Sequence, residues 1–352
     1  MSVSDLWPHQ MRVFELLMAG RNVILRTPTG SGKTRAALYP FLVSLDPVAN
    51  AYYGKLPLKC IYSVPMRILA KQFFHEYNAI VNRYNLRYGL SITRSIQTGE
   101  QPDDPRFEAD LIFATIDQVL SSFLVAPYSL SKSQANLNAG AIMSSYLVFD
   151  EFHLFDPVST LPTTLQMLNL LKGVTPFVLM TATFSQAMLN ALASQLDAVI
   201  VPHPDDAAAQ SAILNLPSQR KVRRYHTIDE SMDADAIVGM HRDRTLVICN
   251  TVDRARYVYE QLIDRVKGSD TRVLLLHSRF LPEDRAQTED SIRHHFGKEW
   301  QATGGSFIVV STQAIEVGLD ITSSILHTEL APANAIIQRA GRCARYAGAS
   351  SV

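Results

Sequence analysis

The sequence predicts an α/β protein built from two parallel-sheet domains in tandem. Three observations carry this expectation. Short apolar runs alternate with helical patterns along the chain, the runs fall into two series, and a glycine-rich stretch, TPTGSGKT at 27–34, joins a strand to a helix. Short buried strands joined by helices are the pattern of parallel sheets covered on both faces.

The first series of runs lies at 23–25, 60–64, 111–114, 146–149 and 177–180, and the second at 245–249, 273–276 and 307–310. Helical patterns occupy 68–77, 185–195 and 253–266. Residues 129–145, rich in Ser, Asn, Gln and Gly, read as a long polar loop. The join falls between Asp197 and Asp235, where Pro202, Pro204, paired Asp residues and the basic run Arg220-Lys221-Val222-Arg223-Arg224 gather. The expected division is 1–216 and 217–352. The basic run reads as a solvated linker face, with contact to a nucleic-acid backbone as the alternative.

A chain of 352 residues, 47% of them hydrophobic, has material for two cores. No apolar run approaches membrane-spanning length, and the first residues lack a basic region followed by an apolar core. The three cysteines, Cys60, Cys249 and Cys343, are widely spaced with no Cys-x-x-Cys pair, which points away from a disulfide frame or zinc module. A reducing cytoplasm and no membrane partner are expected. Basic and acidic residues balance at 33 each. That excludes coating nucleic acid by bulk charge but not holding a strand in a groove.

The chemistry starts at the glycine-rich loop. Gly30 and Gly32 let backbone N–H groups converge on phosphate oxygens, and the helix N-terminus adds partial positive charge. Thr29, Gly30, Ser31, Gly32, Lys33 and Thr34 form the expected phosphate cradle. Lys33 can reach the β- and γ-phosphates, and the Thr34 hydroxyl can ligate Mg²⁺. Thr27 stands where the strict pattern has glycine. Downstream, the apolar run 146–149 ends in Asp150-Glu151-Phe152-His153. Adjacent carboxylates at a strand end serve as a helix cap or turn, or as the second half of a nucleotide site. Beside GSGKT the catalytic reading prevails, with Asp150 holding metal and Glu151 activating water.

These residues resemble the superfamily 2 helicases of the DExH type, over nearly the whole chain. Leu179-Met180-Thr181-Ala182-Thr183 resembles motif III, residues 311–320 (STQAIEVGLD) motif V, and residues 338–345 (QRAGRCAR) motif VI. A narrower resemblance is to the CRISPR-associated helicases of type I interference systems. It rests on TQAIEVGLDI, Ala331-Pro332 and QRAGRCAR, with Val64-Pro65-Met66-Arg67 as motif Ia, Thr98-Gly99-Glu100 and residues 114–120 as strand-binding motifs, and His277-Ser278-Arg279-Phe280 in the second domain.

The resemblance implies two tandem RecA-like domains with mainly parallel sheets, a P-loop NTPase fold using ATP and Mg²⁺. The first carries motifs Q, I, Ia, Ib, Ic, II and III, and the second IV, V and VI. Catalysis is expected from Glu151, Lys33, Arg342, Arg345 and Gln338. Arg342 and Arg345 share one helix face in spacing and act as arginine fingers in the family; a salt-bridged helix is the other reading. Gly318 and Asp320 join the nucleotide contacts. Gln10, after Trp7-Pro8-His9, is either an adenine reader or an exposed helix residue. His153, Thr181 and Thr183 couple hydrolysis to the strand. Strand contacts are expected from Arg67, Thr98, Gly99, Thr115, Gln118, Asn250, Thr251, Arg279 and Thr312.

Function is then expected to be ATP-driven movement on single-stranded DNA, with a CRISPR surveillance complex and a separate nuclease subunit as partners. None of the ten histidines is followed by Asp, so the family's His-Asp nuclease marker is absent. No nuclease activity is expected from these residues. The family's C-terminal domain finds no counterpart beyond Arg345, so a truncated second domain is expected. Two alternatives stand: an RNA-stimulated DExH ATPase, and a nucleotide-gated docking subunit that does not unwind.

Overall fold

A computed structural model describes residues 5–28, 30–48, 51–216, 219, 222–298, 304–316 and 318–345. It divides into two compact units, Met1–Asn215 and Leu216–Val352.

In the first unit the strands are β1 (Asn22–Arg26), β2 (Cys60–Val64), β3 (Arg94–Gln97), β4 (Leu111–Thr115), β5 (Tyr146–Phe149), β6 (Phe177–Thr181) and β7 (Ala198–Val201). They form one seven-stranded sheet in the order β3-β4-β2-β5-β6-β1-β7. Every pairing is parallel. The four strands β2, β4, β5 and β6 are buried at every residue, which is why their sequences run apolar without alternation. Helices α1 (Pro8–Met18), α2 (Lys33–Ser44), α3 (Arg67–Tyr88), α4 (Ile116–Phe123), α5 (Ala135–Met143), α6 (Thr160–Leu170), α7 (Gln186–Leu196) and α8 (Ala207–Leu214) accompany the sheet. Ile24, Ile61, Ile112, Leu147 and Leu179 pack with α4, α6 and α7 residues such as Val119, Leu168 and Leu192 in one core. Parallel order places the ends of β1, β5 and β6 together, and functional loops leave there.

The expected loop at 129–145 is instead largely helical, with a short 3-10 turn at Lys132–Gln134 followed by α5. Ala135, Asn138 and Ile142 form its buried stripe. The stripe contains one alanine and one amide, so apolar spacing did not reveal it. Asn138 is tolerated because its Nδ2 donates to Pro105 O at 2.9 Å and lies 3.2 Å from Ser122 Oγ.

The second unit holds β8 (Arg244–Ile248), β9 (Thr271–Leu276), β10 (Ser306–Ser311) and β11 (Ile325–Thr328), a four-stranded sheet ordered β11-β8-β10-β9. All three pairings are parallel. Helices α9 (Ala234–Met240) and α10 (Val252–Val266) pack Ile237, Val258 and Leu262 against Val247, Ile308 and Val310. On the other core, α11 (Pro282–Phe296) packs Ile292 and Phe296 against Leu246, Phe307 and Val309. A final helix, α12 (Ala333–Ala340), carries the start of QRAGR and ends before Arg342 and Arg345, so the expected shared helix face is not formed.

Sequence periodicity missed β3, β7 and β11. Each is a four-residue edge strand with partly exposed positions, so none carries a long apolar run. Within the basic run, Arg223 Nε donates to Cys343 O at 2.7 Å, so part of that run is anchored rather than solvated. All three cysteines are free and buried. Among the described residues no helix is long and apolar enough to cross a membrane.

Candidate active site

The phosphate loop leaves the end of β1. The Thr27 amide donates to Thr181 O at 3.2 Å, carrying the β1–β6 ladder one residue beyond the strand. Ser31 Oγ lies 2.7 Å from Thr27 Oγ1 and 2.8 Å from Pro28 O, which folds the loop back on itself. Thr27 therefore has a use of its own: its hydroxyl is a strut for the loop. Gly30 and Gly32 adopt φ of +83° and +72°. A Cβ on Gly32 would also come within 2.5 Å of Gln10 Nε2, so both backbone angle and crowding require glycine there. Thr29 lies outside the described residues.

The segment Trp7–Gln10 braces this loop. Gln10 is buried; its Oε1 accepts the Trp7 amide at 3.0 Å and its Nε2 donates to Gly32 O at 3.1 Å. The exposed-helix reading of Gln10 is thereby excluded. His9 Nε2 sits 2.9 Å from Ser31 O, and burial lowers the pKa of its imidazole, favouring the neutral ring.

Lys33 opens α2 and is nearly enclosed, with Nζ 3.3 Å from Thr27 O and 3.8 Å from Glu151 Oε1. Asp150 follows β5 and is buried. Its Oδ1 accepts the Glu151 amide at 2.8 Å, and its Oδ2 accepts the Tyr62 hydroxyl at 2.6 Å. Burial pushes its carboxyl pKa up to about 6, and the Glu151 charge adds to this; Lys33 and the two hydrogen bonds oppose it. Glu151 sits at φ +47°, a left-handed conformation unusual for a non-glycine residue. His153 Nδ1 lies 3.5 Å from Glu151 Oε2 and 3.4 Å from Thr181 Oγ1, linking the second carboxylate to the end of β6. Thr183 follows on the same connection, two residues after β6 ends.

The donors suit Mg²⁺. The Tyr62 hydroxyl is within 3.5 Å of Thr34 Oγ1 and 2.6 Å of Asp150 Oδ2, so Thr34 and Asp150 oxygens converge on one spot. Hard oxygen donors, few of them from protein, are what Mg²⁺ takes when phosphates complete its shell. No group of three or more His, Cys, Asp or Glu side chains able to hold a metal occurs among the described residues.

In the second unit QRAGRCAR is held by Glu316, Leu319 and Asp320. Arg342 is buried, its guanidinium donating to Glu316 O, at 3.2 Å from Nε, and to Leu319 O. Arg345 Nε pairs with the Asp320 carboxylate. Gly318, at φ +86°, makes the turn between them. Gln338 is half-buried on α12. Arg339, given no role from sequence, forms the deepest ion pair of the unit's described residues: Nε is 2.8 Å from Glu316 Oε1, with exposures of 1% and 8%.

Of the expected strand contacts, Arg67 and Arg279 are exposed cations, paired with Glu100 at 2.8 Å and Asp253 at 3.1 Å. Gly99 is packed beside the Arg67 guanidinium. Of the other candidates, Thr98, Thr115, Gln118 and Thr312 are buried, whereas Asn250 and Thr251 are exposed. Thr98 Oγ1 accepts the Gln101 amide at 3.1 Å, and Gln118 Oε1 accepts Gln97 Nε2 at 3.2 Å. Asn250 Oδ1 accepts Arg339 Nη2 at 3.0 Å while its Nδ2 donates to Leu330 O at 2.8 Å. Thr251 caps α10 through the Arg254 amide at 3.2 Å. Sequence reasoning missed Tyr62, His9, Arg339 and Lys71, the last lying 3.2 Å from Glu100. Tyr62 and His9 gave no signal, being polar tips inside apolar or helical patterns.

Residues 7–191 match the DEAD/DEAH box helicase family, and residues 241–348 match the C-terminal region of the CRISPR-associated nuclease/helicase Cas3. The chain is 26% identical to the Cas3 endonuclease/helicase of Escherichia coli over 96% of its own length and 42% of that protein's. It is 25% identical to the Cas3 helicase of Thermoproteus tenax, covering 97% of this chain and 57% of that one. The chain thus spans about half the length of these curated relatives. Among solved structures, T. fusca Cas3 with AMPPNP superimposes with a TM-score of 0.73 at 22% identity, covering 96% of this chain and 43% of that one. The fold is accordingly that of two RecA-like domains, and the chain belongs to the DEAD/DEAH box helicase family, with a helicase core similar to that of the Cas3 proteins.

Proposed function

We propose that this chain is the motor core of a type I CRISPR interference helicase, hydrolysing Mg²⁺-ATP to move along single-stranded DNA. The observation that carries the reading is the meeting of Lys33, Thr34, Asp150, Glu151 and His153 at the ends of β1, β5 and β6. Residues 1–216 and 217–352 act as the nucleotide-binding and arginine-supplying RecA-like domains.

Loop amides from Gly30 to Lys33, with Thr29, bind the phosphate oxygens. Lys33 exchanges its Glu151 and Thr27 contacts for the β- and γ-phosphates. Asp150 and Thr34 hold Mg²⁺, which supplies charge neutralisation on the phosphate oxygens when bound. Glu151 accepts the proton of the attacking water, and His153 transmits its state to Thr181 and Thr183. Arg342 and Arg345, presented with Gln338, Gly318 and Asp320, offset charge on the γ-phosphate. Gln10 recognises adenine or braces the loop it touches. Arg67, Thr98, Gly99, Thr115, Gln118, Asn250, Thr251, Arg279 and Thr312 line the strand path, mainly through phosphate and sugar. A CRISPR surveillance complex recruits the motor, and cleavage is left to a separate subunit.

The test is steady-state ATP turnover with single-stranded DNA, with single-stranded RNA and with neither. Stimulation by DNA supports the reading. Stimulation by RNA alone transfers the chain to an RNA-dependent ATPase, and nucleotide binding without stimulated turnover makes it a docking subunit.

A further inference from the structure

Tyr62 belongs to β2, is wholly buried, and has no part in the chemistry above. Its ring is fixed by Phe73 and Phe113, at centroid distances of 5.1 and 5.6 Å. Its register partner on β5 is Val148, two residues before Asp150. The phenol is thus aimed along the sheet at the end of β5. Its hydroxyl gives its one proton to Asp150 Oδ2 at 2.6 Å, and its oxygen stands 3.5 Å from Thr34 Oγ1. Asp150 Oδ1 is fixed independently by the Glu151 amide at 2.8 Å. Both carboxylate oxygens are therefore pinned, each keeping a lone pair for a cation.

We propose that Tyr62 is a positioning residue of the metal–nucleotide site, holding the Asp150 carboxylate and the Thr34 hydroxyl in register across two strands and the phosphate loop. This rests on the reading of Asp150 and Thr34 as the Mg²⁺ holders. Partners of this kind, bonded to a ligand rather than to the metal, typically change metal affinity by about 10–100-fold when removed.

The test is Tyr62→Phe, which deletes one oxygen and keeps the ring packing. Binding of a fluorescent non-hydrolysable ATP analogue is measured against Mg²⁺ concentration and, separately, in EDTA. The Mg²⁺ needed for half-maximal enhancement should rise about 10-fold or more, while affinity in EDTA stays within about twofold of wild type. An unchanged Mg²⁺ requirement overturns the proposal, as does an equal loss with and without Mg²⁺, or a variant that unfolds at 25 °C. Asp150→Asn serves as the reference. If Mg²⁺ enhancement is lost in Asp150→Asn but normal in Tyr62→Phe, only the Tyr62 role fails. If enhancement survives in Asp150→Asn, the underlying metal assignment fails.

Discussion

Lys33 Nζ lies 3.8 Å from Glu151 Oε1, the amine nearly enclosed and the carboxylate about one-fifth exposed. The loop proposed to grip phosphate and the turn proposed to activate water are therefore neighbours within one unit. A lysine given to phosphate leaves Glu151 free to act as a base. Lys33→Ala should remove both phosphate binding and turnover, whereas Glu151→Gln should keep nucleotide affinity and lower turnover by about 10²-fold or more. Fluorescent-nucleotide binding and phosphate release, measured on both variants, check this.

Asp150 provides a prediction in pH. Its folded pKa is raised to about 6 from 3.8, by burial first and then by Glu151. Between those values the folded protein holds more protons than the unfolded chain, so the contribution of this group to stability falls as pH rises. The cost is fully present above pH 6 and absent below pH 4. Asp150→Asn removes the charge, and the Tyr62 hydroxyl can turn to accept from the new amide. The variant should be more stable than wild type at pH 8 by on the order of 1–3 kcal/mol, with the gain vanishing near pH 4. Denaturant melts at the two pH values measure it. Equal differences at both would contradict the assignment.

Arg339 and Arg345 lie in one motif but face different environments. Removing Arg339 leaves Glu316 buried without its partner, so Arg339→Met should cost about 3–5 kcal/mol of stability in the second unit. Arg345 faces Asp320, whose side chain is 48% exposed, so Arg345→Ala should cost at most about 1 kcal/mol. Turnover should nonetheless fall in Arg345→Ala, which thermal melts combined with ATPase assays will separate.

Glu100 holds both Arg67 and Lys71, and all three side chains are about half exposed. Such pairs are weak, so a strand phosphate can displace the carboxylate. Glu100→Gln should raise single-stranded DNA affinity a few-fold. Arg67→Ala with Arg279→Ala should weaken it and flatten the dependence on salt by about 1–2 units of logarithmic slope. Fluorescence anisotropy across salt concentrations reads both effects.

Much of this was legible in the sequence because it is local. Residues 27–34 and 150–153 are each recognisable as motifs in a few consecutive positions, and the central strands announce themselves by continuous apolar runs. What escaped depends on contacts between distant segments. Tyr62 sits 88 positions from Asp150, and Arg339 is 23 from Glu316. No spacing rule reports such pairs. Helix α5 escaped because an alanine and an amide took two of the three places in its buried stripe. The strand path was the least legible part. Thr and Asn after a strand cap or brace as readily as they bind, as Thr251 and Asn250 do here.

The most direct test is ATP turnover by the purified chain with and without single-stranded DNA, run beside Glu151→Gln. The account predicts Mg²⁺-dependent hydrolysis that rises with single-stranded DNA and disappears in the variant. Hydrolysis that persists in Glu151→Gln, or that ignores single-stranded DNA at every concentration, would contradict it.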